Sequence, residues 1–502
     1  MGKGARSRAN YAEKKAAQLE REKAKKKQQR INFIVAIATV VVLLAGIGAM
    51  IAVNVYRNSG AVQRGQIVMK SDNFAINGSM MGYLIFSQYA NYLNTYGDYL
   101  SYTGLDTSKA LKDQYTTDDE GNSITWFQYF ANAAKENVEN LLVLCENAKA
   151  NGVELTEAEK TVVAERANAS YMNVGRYARG VNEQDVKDCM ELSLLATKYQ
   201  LAVEDELTPT VEKIEEYYEK NPLDVLKTDY YAYAFSYEVP AEGETLAEDK
   251  VSQDDAKKQA DELAAAVGVD NFKTKLKAYL ESIAEEPAEG EEKTEVNVDT
   301  YKVTAGTYTK DNEGSEWLFN DATAVGATKV VHDESAKTYT VYMLDKAKYL
   351  QEEETVSIRH LLVSVVEDSV TADQARKTAQ KYYDQWQKGD KSEQSFAELA
   401  MRYTEDSNYY NGGLYQGVYA GQMVDTFNDW CFDEARQSGD HGLVDTDYGT
   451  HIMYFVGDDL LRWQTDVRTT LLQEAYTTKY DEMEKAVTIT TDDALISSLE
   501  VQ

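Results

Sequence analysis

Two stretches of this chain follow one plan. SEWLFNDATAVGATKVVHDESAKTYTVYMLDK (315–346) and NDWCFDEARQSGDHGLVDTDYGTHIMYFVGDD (428–459) each run through Trp-x-Phe, a helical stub, a Gly, a short apolar strand, a turn and an alternating final strand. Each is preceded by a strand and a helix: YYAYAFSYEV with SQDDAKKQADELAAAVG, and VSIRHLLVSVV with TADQARKTAQKYYDQWQKG. A repeated strand–helix–strand plan buries its apolar faces in layers, so two tandem α+β units are expected, each a small antiparallel sheet flanked by helices, over 228–350 and 355–458. The alternation is clearest in TDYGTHIMYF, where His451, Met453 and Phe455 share one face and Ile452, Tyr454 and Val456 the other. The chain has four histidines. Taken alone, an imidazole in such a strand reads as a core histidine with its nitrogens satisfied.

The opening of the chain is of another kind. Residues 1–30 hold 11 Lys/Arg against 3 Glu, so this arm is +8 while the whole chain is −32. The acidic remainder repels phosphate backbones, which argues against nucleic-acid binding. Between Phe33 and Val53 lie 21 residues without a charge, long enough to cross a ~30 Å hydrocarbon core as a helix. A cleaved signal peptide has a shorter apolar run. A transmembrane signal anchor over 31–56 is therefore expected, with the basic arm 1–30 cytoplasmic and the bulk outside. The three cysteines, Cys145, Cys189 and Cys431, have no metal-ligand spacing and sit among apolar residues. They read as small buried hydrophobes, with one disulfide left open.

Residues 57–75 read as a polar spacer. From about 76 to 227 the periodicity is helical, with a Thr-x-x-Glu capping spacing opening TEAEKTVVAERANA and a further helix in TPTVEKIEEYYEKNP. Strand signals begin only at 228. The acidic stretch 284–295 reads as an exposed loop. After 460, Trp463, Val467, Leu471 and Ala475 recur at steps of four, a C-terminal helix placed in 460–502.

The second unit carries a constellation: Arg359-His360-Leu361-Leu362-Val363 on a strand, Phe396 to Ala400, Tyr403-Thr404-Glu405-Asp406, Gly412-Gly413, Gly421-Gln422-Met423 with Phe427, and Thr446 to Ile452. In this order it resembles the parvulin family of peptidyl-prolyl isomerases. The resemblance implies that His360 and His451 stand side by side on central strands with Asp406 and Thr446 beside them as catalytic residues. Tyr415, Met423 and Phe427 would form the substrate-binding wall for a proline ring. No cofactor and no metal is implied. A zinc site from His360, His451 and Asp406 lacks any supporting ligand spacing.

The chain departs from the family in two places. The turn Gly412-Gly413-Leu414-Tyr415-Gln416 places Tyr415 where the family has a pocket-lining leucine, and Tyr448 stands where small or polar residues are common. The acidic loop after the strand speaks against selectivity for phosphorylated Ser/Thr-Pro. The first unit looks like a degenerate parvulin, with Ala232 at the position of His360 and Thr340 at that of His451. His332 and His441 read as solvent-facing turn residues. The helical region 57–227, completed by 460–502, more loosely resembles the chaperone domain of SurA- and PrsA-type foldases.

Together these resemblances imply a membrane-anchored extracytoplasmic isomerase and chaperone in a Gram-positive-type bacterium, acting on unfolded or newly exported polypeptides containing proline. A homodimer is left open. The alternatives are a non-catalytic holdase or scaffold that binds extended peptides, and an envelope assembly factor with one client.

The basic arm and uncharged run generate a topology test. Protease added outside intact cells is expected to digest the acidic body and leave a short anchored stub. Protection of the whole chain would overturn the assignment.

Overall fold

The computed structural model describes residues 60–501, apart from 241–244, 248–249, 285–294 and 368. The basic arm, the anchor segment 31–56 and nearly all of the acidic loop lie outside the described residues. Among the described residues, no helix is long and apolar enough to cross a membrane. The architecture is mixed α+β, and the chain divides into two compact units. Thr210–Glu352 forms one, and the described residues before Thr210 join those after Glu352 in the other.

The N-terminal part of the larger unit is mainly helical. It comprises α1 (Gly60–Arg64), β1 (Ile67–Lys70), β2 (Ala75–Asn77), α2 (Gly78–Tyr96), the hairpin β3 (Tyr115–Thr117) and β4 (Ser123–Thr125), α3 (Trp126–Ala150), α4 (Glu157–Asn173) and α5 (Glu183–Leu207). Capping boxes open α3, α4 and α5, each N-cap oxygen and N3 side chain satisfying the other residue's backbone N–H. Tyr83, Tyr89, Met81, Ile85, Phe130 and Leu142 fill the core between them.

Two expectations fail in this part. The stretch 57–75 is not only spacer: Val68 and Met69 of β1 are buried. Strands also occur before 228, because Asp118 accepts from the N–H groups of Glu120 and Asn122 and closes the β3–β4 hairpin.

The smaller unit opens with α6 (Val211–Lys220), which the sequence reading placed with the preceding helices. It continues through β5 (Lys227–Ser236), α7 (Gln253–Ala264), α8 (Val269–Ile283), β6 (Lys302–Gly306), α9 (Glu313–Leu318), β7 (Thr328–Asp333) and β8 (Thr338–Tyr349). The strands form one antiparallel sheet in the order β6-β5-β8-β7. One face packs Tyr231, Phe235, Val341 and Met343 against Ala256, Ala260 and Leu263 of α7 and Phe272 and Leu276 of α8. The other face holds Tyr230, Val303, Leu318, Phe319 and Leu344, with Ala232 and Tyr342 packed against them.

The larger unit resumes with β9 (Glu354–Ser364), α10 (Ala372–Trp386), α11 (Glu393–Tyr403), β10 (Leu414–Tyr419), α12 (Asp425–Cys431), β11 (His441–Thr446) and β12 (Gly449–Leu461). Its sheet, β10-β9-β12-β11, repeats the first in order and in register. Ala232 stands opposite Tyr342 as His360 stands opposite Met453, and Thr340 opposite Ala234 as His451 opposite Leu362. Gly326 and Gly439 both enter their sheets at positive φ. Each donates its N–H to the final strand, to Leu344 O at 2.7 Å and Phe455 O at 2.8 Å. The alternation of β12 works as expected: Ile452 and Tyr454 pack under α10 and α11 with Phe396 and Trp386, while Met453 and Phe455 face α12.

The chain ends with α13 (Arg462–Lys485), β13 (Thr490–Thr491) and α14 (Asp493–Ser498). Tyr476 and Met483 of α13 share a core with Leu144 of α3 and Tyr199 of α5, and β13 pairs with β1. All three cysteines are free and buried.

Gly413 ties the second sheet to its turn. His360 N–H donates to its carbonyl at 2.9 Å. Its φ is +72°, and a Cβ there would lie 2.1 Å from the carbonyl oxygen of His360. Gly413→Ala is therefore expected to cost ~1–3 kcal/mol from backbone strain alone, before the clash is relieved. Thermal melts of the full chain should show a clear drop, and an unchanged melt would contradict this geometry.

Candidate active site

The site lies on the face of the second sheet that carries α12. His360 on β9 and His451 on β12 are diagonal neighbours on the two central strands. Only 2% and 6% of their surfaces reach solvent. Their ring centroids are 5.3 Å apart, and Nδ1 of one lies 3.2 Å from Nδ1 of the other. Phe427 of α12 stands edge-on to both rings, at 5.5 Å and 5.2 Å. Tyr415 of β10 tilts over His360 at 4.9 Å. Tyr415, Met423, Trp430 and Phe432 are half-buried around a floor of Val356, Ile358, Val418, Phe427, Val444, Met453 and Phe455.

Two acceptors close the ends of the imidazole pair. Oδ2 of Asp406 lies 3.1 Å from His360 Nε2 and accepts from the Tyr415 hydroxyl at 3.3 Å. Thr446 Oγ1 lies 3.0 Å from His451 Nε2. One constraint then orders the whole chain of contacts. Burial opposes ionisation of Asp406, but its contacts with His360 and with the N–H and hydroxyl of Ser407 outweigh it, bringing the carboxyl down to about 2. An ionised Asp406 calls for a proton on His360 Nε2, and in the neutral tautomer that carries it His360 Nδ1 is an acceptor. His451 Nδ1–H then donates to His360, and Thr446 O–H donates to His451 Nε2. The weak link is the first. His360 Nε2 is close to Asp406 but off the line of a well-formed hydrogen bond.

Burial, and next the neighbouring His360, push the His451 imidazole down to about 3. Burial likewise pushes the Cys431 thiol, in the same core, up to about 12, so it is no thiolate nucleophile near neutral pH. The side chains of His360, His451 and Asp406 engage one another in a line rather than converging on one point. The arrangement is a polar chain buried at its two imidazoles and partly open at Asp406, beside an apolar shelf.

The structure thus brings His360, Asp406, Thr446, His451, Tyr415, Met423 and Phe427 to one place. Tyr448 stays out of it, 65% exposed. His332 and His441 are in strands, not turns. His332 is exposed but stacks on Tyr339 and meets the Tyr237 hydroxyl at 2.9 Å. His441 is half-buried between Tyr383 and Trp386, which corrects its assignment to solvent. The sequence reading gave no role to two residues inside its own motifs. Arg359 donates to the carbonyls of Asn411 and Gly412 and pairs with Glu393, holding the glycine turn to β9. Thr404 is buried, and its Oγ1 accepts from the N–H groups of Leu362 and Asp406.

The folded imidazole of His451 titrates about 3, below its ordinary 6.5. The unfolded chain therefore binds this proton first, so the stabilisation is present above about 6.5 and is lost as pH falls towards about 3. Each unit of that window is worth up to ~1.4 kcal/mol. Denaturant melts of the full chain at pH 7, 5.5 and 4 should fall in stability stepwise. His451→Gln, less stable at pH 7, should show a flatter decline, and an identical slope would contradict a buried neutral His451.

Residues 339–457 match the family model of the PPIC-type PPIASE domain. The solution structure of TbPIN1 is 29% identical, covering 20% of this chain and 97% of its own, at a TM-score of 0.18. The crystal structure of peptidylprolyl isomerase (PrsA) from Bacillus anthracis is 19% identical at a TM-score of 0.18, covers 27% of this chain, and is itself spanned over 59% of its length. PrsA from Bacillus subtilis is 15% identical and covers 77% of this chain and 90% of its own, at a TM-score of 0.22. No curated protein matches the chain. The match begins in β8, takes in the second sheet with its histidine pair, and identifies this part of the chain as a parvulin-type peptidyl-prolyl cis-trans isomerase domain.

Proposed function

We propose that the chain is a membrane-anchored extracytoplasmic foldase, in which one parvulin domain isomerises prolyl bonds of exported polypeptides and the remaining parts bind and present them. The reading is carried by the line Tyr415–Asp406–His360–His451–Thr446 running beside Met423 and Phe427. Anchorage by 31–56, with a cytoplasmic N-terminus in the cell membrane, rests on the uncharged run and basic arm of the sequence.

A prolyl bond is slow to rotate because amide resonance must be broken, at ~18–20 kcal/mol. Resonance places negative charge on the carbonyl oxygen, and twisting withdraws it. A proline ring seated on Met423 and Phe427 brings the preceding carbonyl towards the Asp406 end of the polar line. A fixed carboxylate there disfavours the resonance form and so fits the twisted state better than either planar isomer. The imidazole pair holds that carboxylate in place, and no covalent step is needed.

The Thr210–Glu352 unit has the sheet without the site. Ala232 and Thr340 hold the histidine positions, and Tyr230, Tyr342, Leu344 and Phe319 pack the corresponding face. We assign it a binding or spacing role. The helical part offers Tyr99, Tyr102 and Tyr115, 72%, 86% and 67% exposed, as sites where extended apolar segments can rest. This observation favours a chaperone contribution alongside catalysis.

The test is an isomerase assay on the full chain with a proline tetrapeptide. Met423→Ala and Asp406→Ala are each expected to lower kcat/KM about tenfold or more, ~1.4 kcal/mol of transition-state stabilisation. His451→Ala should lower the rate and also cost ~1–3 kcal/mol of stability, because it leaves His360 Nδ1 buried without a partner. Full activity in both Met423→Ala and Asp406→Ala would remove the pocket from this face. Wild-type activity in an Asp406→Ala/His451→Ala chain would place catalysis in the Thr210–Glu352 unit.

A further inference from the structure

The segment that carries Asp406 is gripped from outside the isomerase sheet. Asp406 opens the 3₁₀ turn Ser407–Asn411, which leads into Gly412 and Gly413. Helix α4, more than 200 residues earlier in the chain, lies against this segment. Arg166 of α4 donates to the carbonyl of Met401 in the last turn of α11 at 3.0 Å and to that of its C-cap Thr404 at 2.7 Å. Its guanidinium lies 4.2 Å over the ring of Tyr409. The neighbouring Glu165 makes a two-point ion pair with Arg402. Tyr409 is 4% exposed, and Tyr410 packs against the core formed by α2, α3 and α5. So a cation sits on helix-terminal carbonyls and an aromatic face, where both the helix dipole and the ring quadrupole favour it.

The grip passes directly to the site. Thr404, whose carbonyl Arg166 holds, receives the N–H of Asp406 and that of Leu362 on its hydroxyl. We propose that Arg166 is a positioning residue for the isomerase: docking α4 on residues 401–413 sets where the Asp406 carboxylate stands against His360. The observation that makes this consequential is the misaligned approach of His360 Nε2 to Asp406. A contact at 3.1 Å that is already off-line is degraded by a small shift of the turn. The helical region thereby acts on the reaction without touching substrate. This inference rests on the role given above to Asp406.

The groups facing Asp406 are His360 from β9, Tyr415 from β10, Tyr410 of its own turn and, across His360, His451 of β12. Of these, His360 and the Ser407 donors keep the carboxyl at about 2. Releasing the turn weakens the His360 contact, so the carboxyl moves up towards its ordinary ~3.9.

The experiment measures kcat/KM from pH 3 to 8 on the full chain and its variants Arg166→Met, Arg166→Lys and Asp406→Ala. Circular dichroism at each pH confines the comparison to conditions where each variant is folded. Arg166→Met keeps the apolar stem and removes the cation and both donors. It should lose about fivefold to tenfold in kcat with KM little changed, and its acid limb should rise into the lower end of this pH range, where the wild-type carboxylate, at about 2, is still ionised. Arg166→Lys, which keeps the charge and one donor, should recover part of both. An Arg166→Met chain with wild-type rate and limb, or a loss that merely tracks the unfolded fraction while the limb stays in place, overturns the positioning role. If Asp406→Ala is slow while Arg166→Met is not, the inference alone fails. If Asp406→Ala is also fully active, the catalytic reading of Asp406 fails with it.

Discussion

The contact between His360 and His451 is the constraint to which the rest of the second sheet answers. Two imidazoles on an apolar sheet face are costly unless each nitrogen has a partner. Mutual contact satisfies one nitrogen of each, and the remaining two must be met from the ends. Thr446 meets one from β11, which requires the β11–β12 turn to bring residue 446 back over residue 451. Asp406 meets the other from a segment outside the sheet, which requires a turn that crosses β9 closely enough for His360 N–H to reach the Gly413 carbonyl. Arg359 and Thr404 are then needed to hold that turn. Each residue in the line is specified by the polar atom before it.

The Thr210–Glu352 sheet shows the same backbone after that constraint is lifted. Order and register are unchanged, and the entering glycines make matching hydrogen bonds. With Ala232 and Thr340 in place of the imidazoles, no ring nitrogen calls for a carboxylate beside it or for an open shelf. Aromatic rings occupy the face instead: Tyr230 and Tyr342 lie 5.8 Å apart, and Phe319 fills the place that Phe432 has beside the second sheet. The fold therefore tolerates loss of the site, and the site accounts for residues that the fold does not require.

The site was legible in the sequence because its parts are local patterns. Alternation placed His451, Met453 and Phe455 on one face, and ordered motifs placed Asp406 and Phe427 near it. What escaped was non-local. Ile67 to Lys70 looks like linker because β13, its strand partner, lies some 420 residues on. The hairpin at 115–125 has strands of three residues, too short for a period to show. His441 looked like a turn residue because Ser-Gly-Asp precedes it, while the aromatic rings that half-bury it come from α10. Arg166 sits in a helix whose sequence pattern sets no partner for it, and only the fold reveals that two carbonyls and a tyrosine ring face it.

That last contact bears on what the isomerase domain is as a physical object. Cutting the chain to residues 355–458 would preserve every residue of the polar line and all but the ends of β9 and β12. It would also strip α4 and α5 from the 401–413 segment, leaving Tyr409 and Tyr410 in water and the terminal carbonyls of α11 without Arg166. Large apolar surface newly exposed beside a turn that already carries two glycines favours rearrangement of that turn. The turn holds Asp406, so the excised domain would report on a looser version of the site. The compact unit that holds the site reaches beyond the family match: it extends back through the helical region and forward into α13, whose Tyr476 and Met483 pack with Leu144 of α3 and Tyr199 of α5.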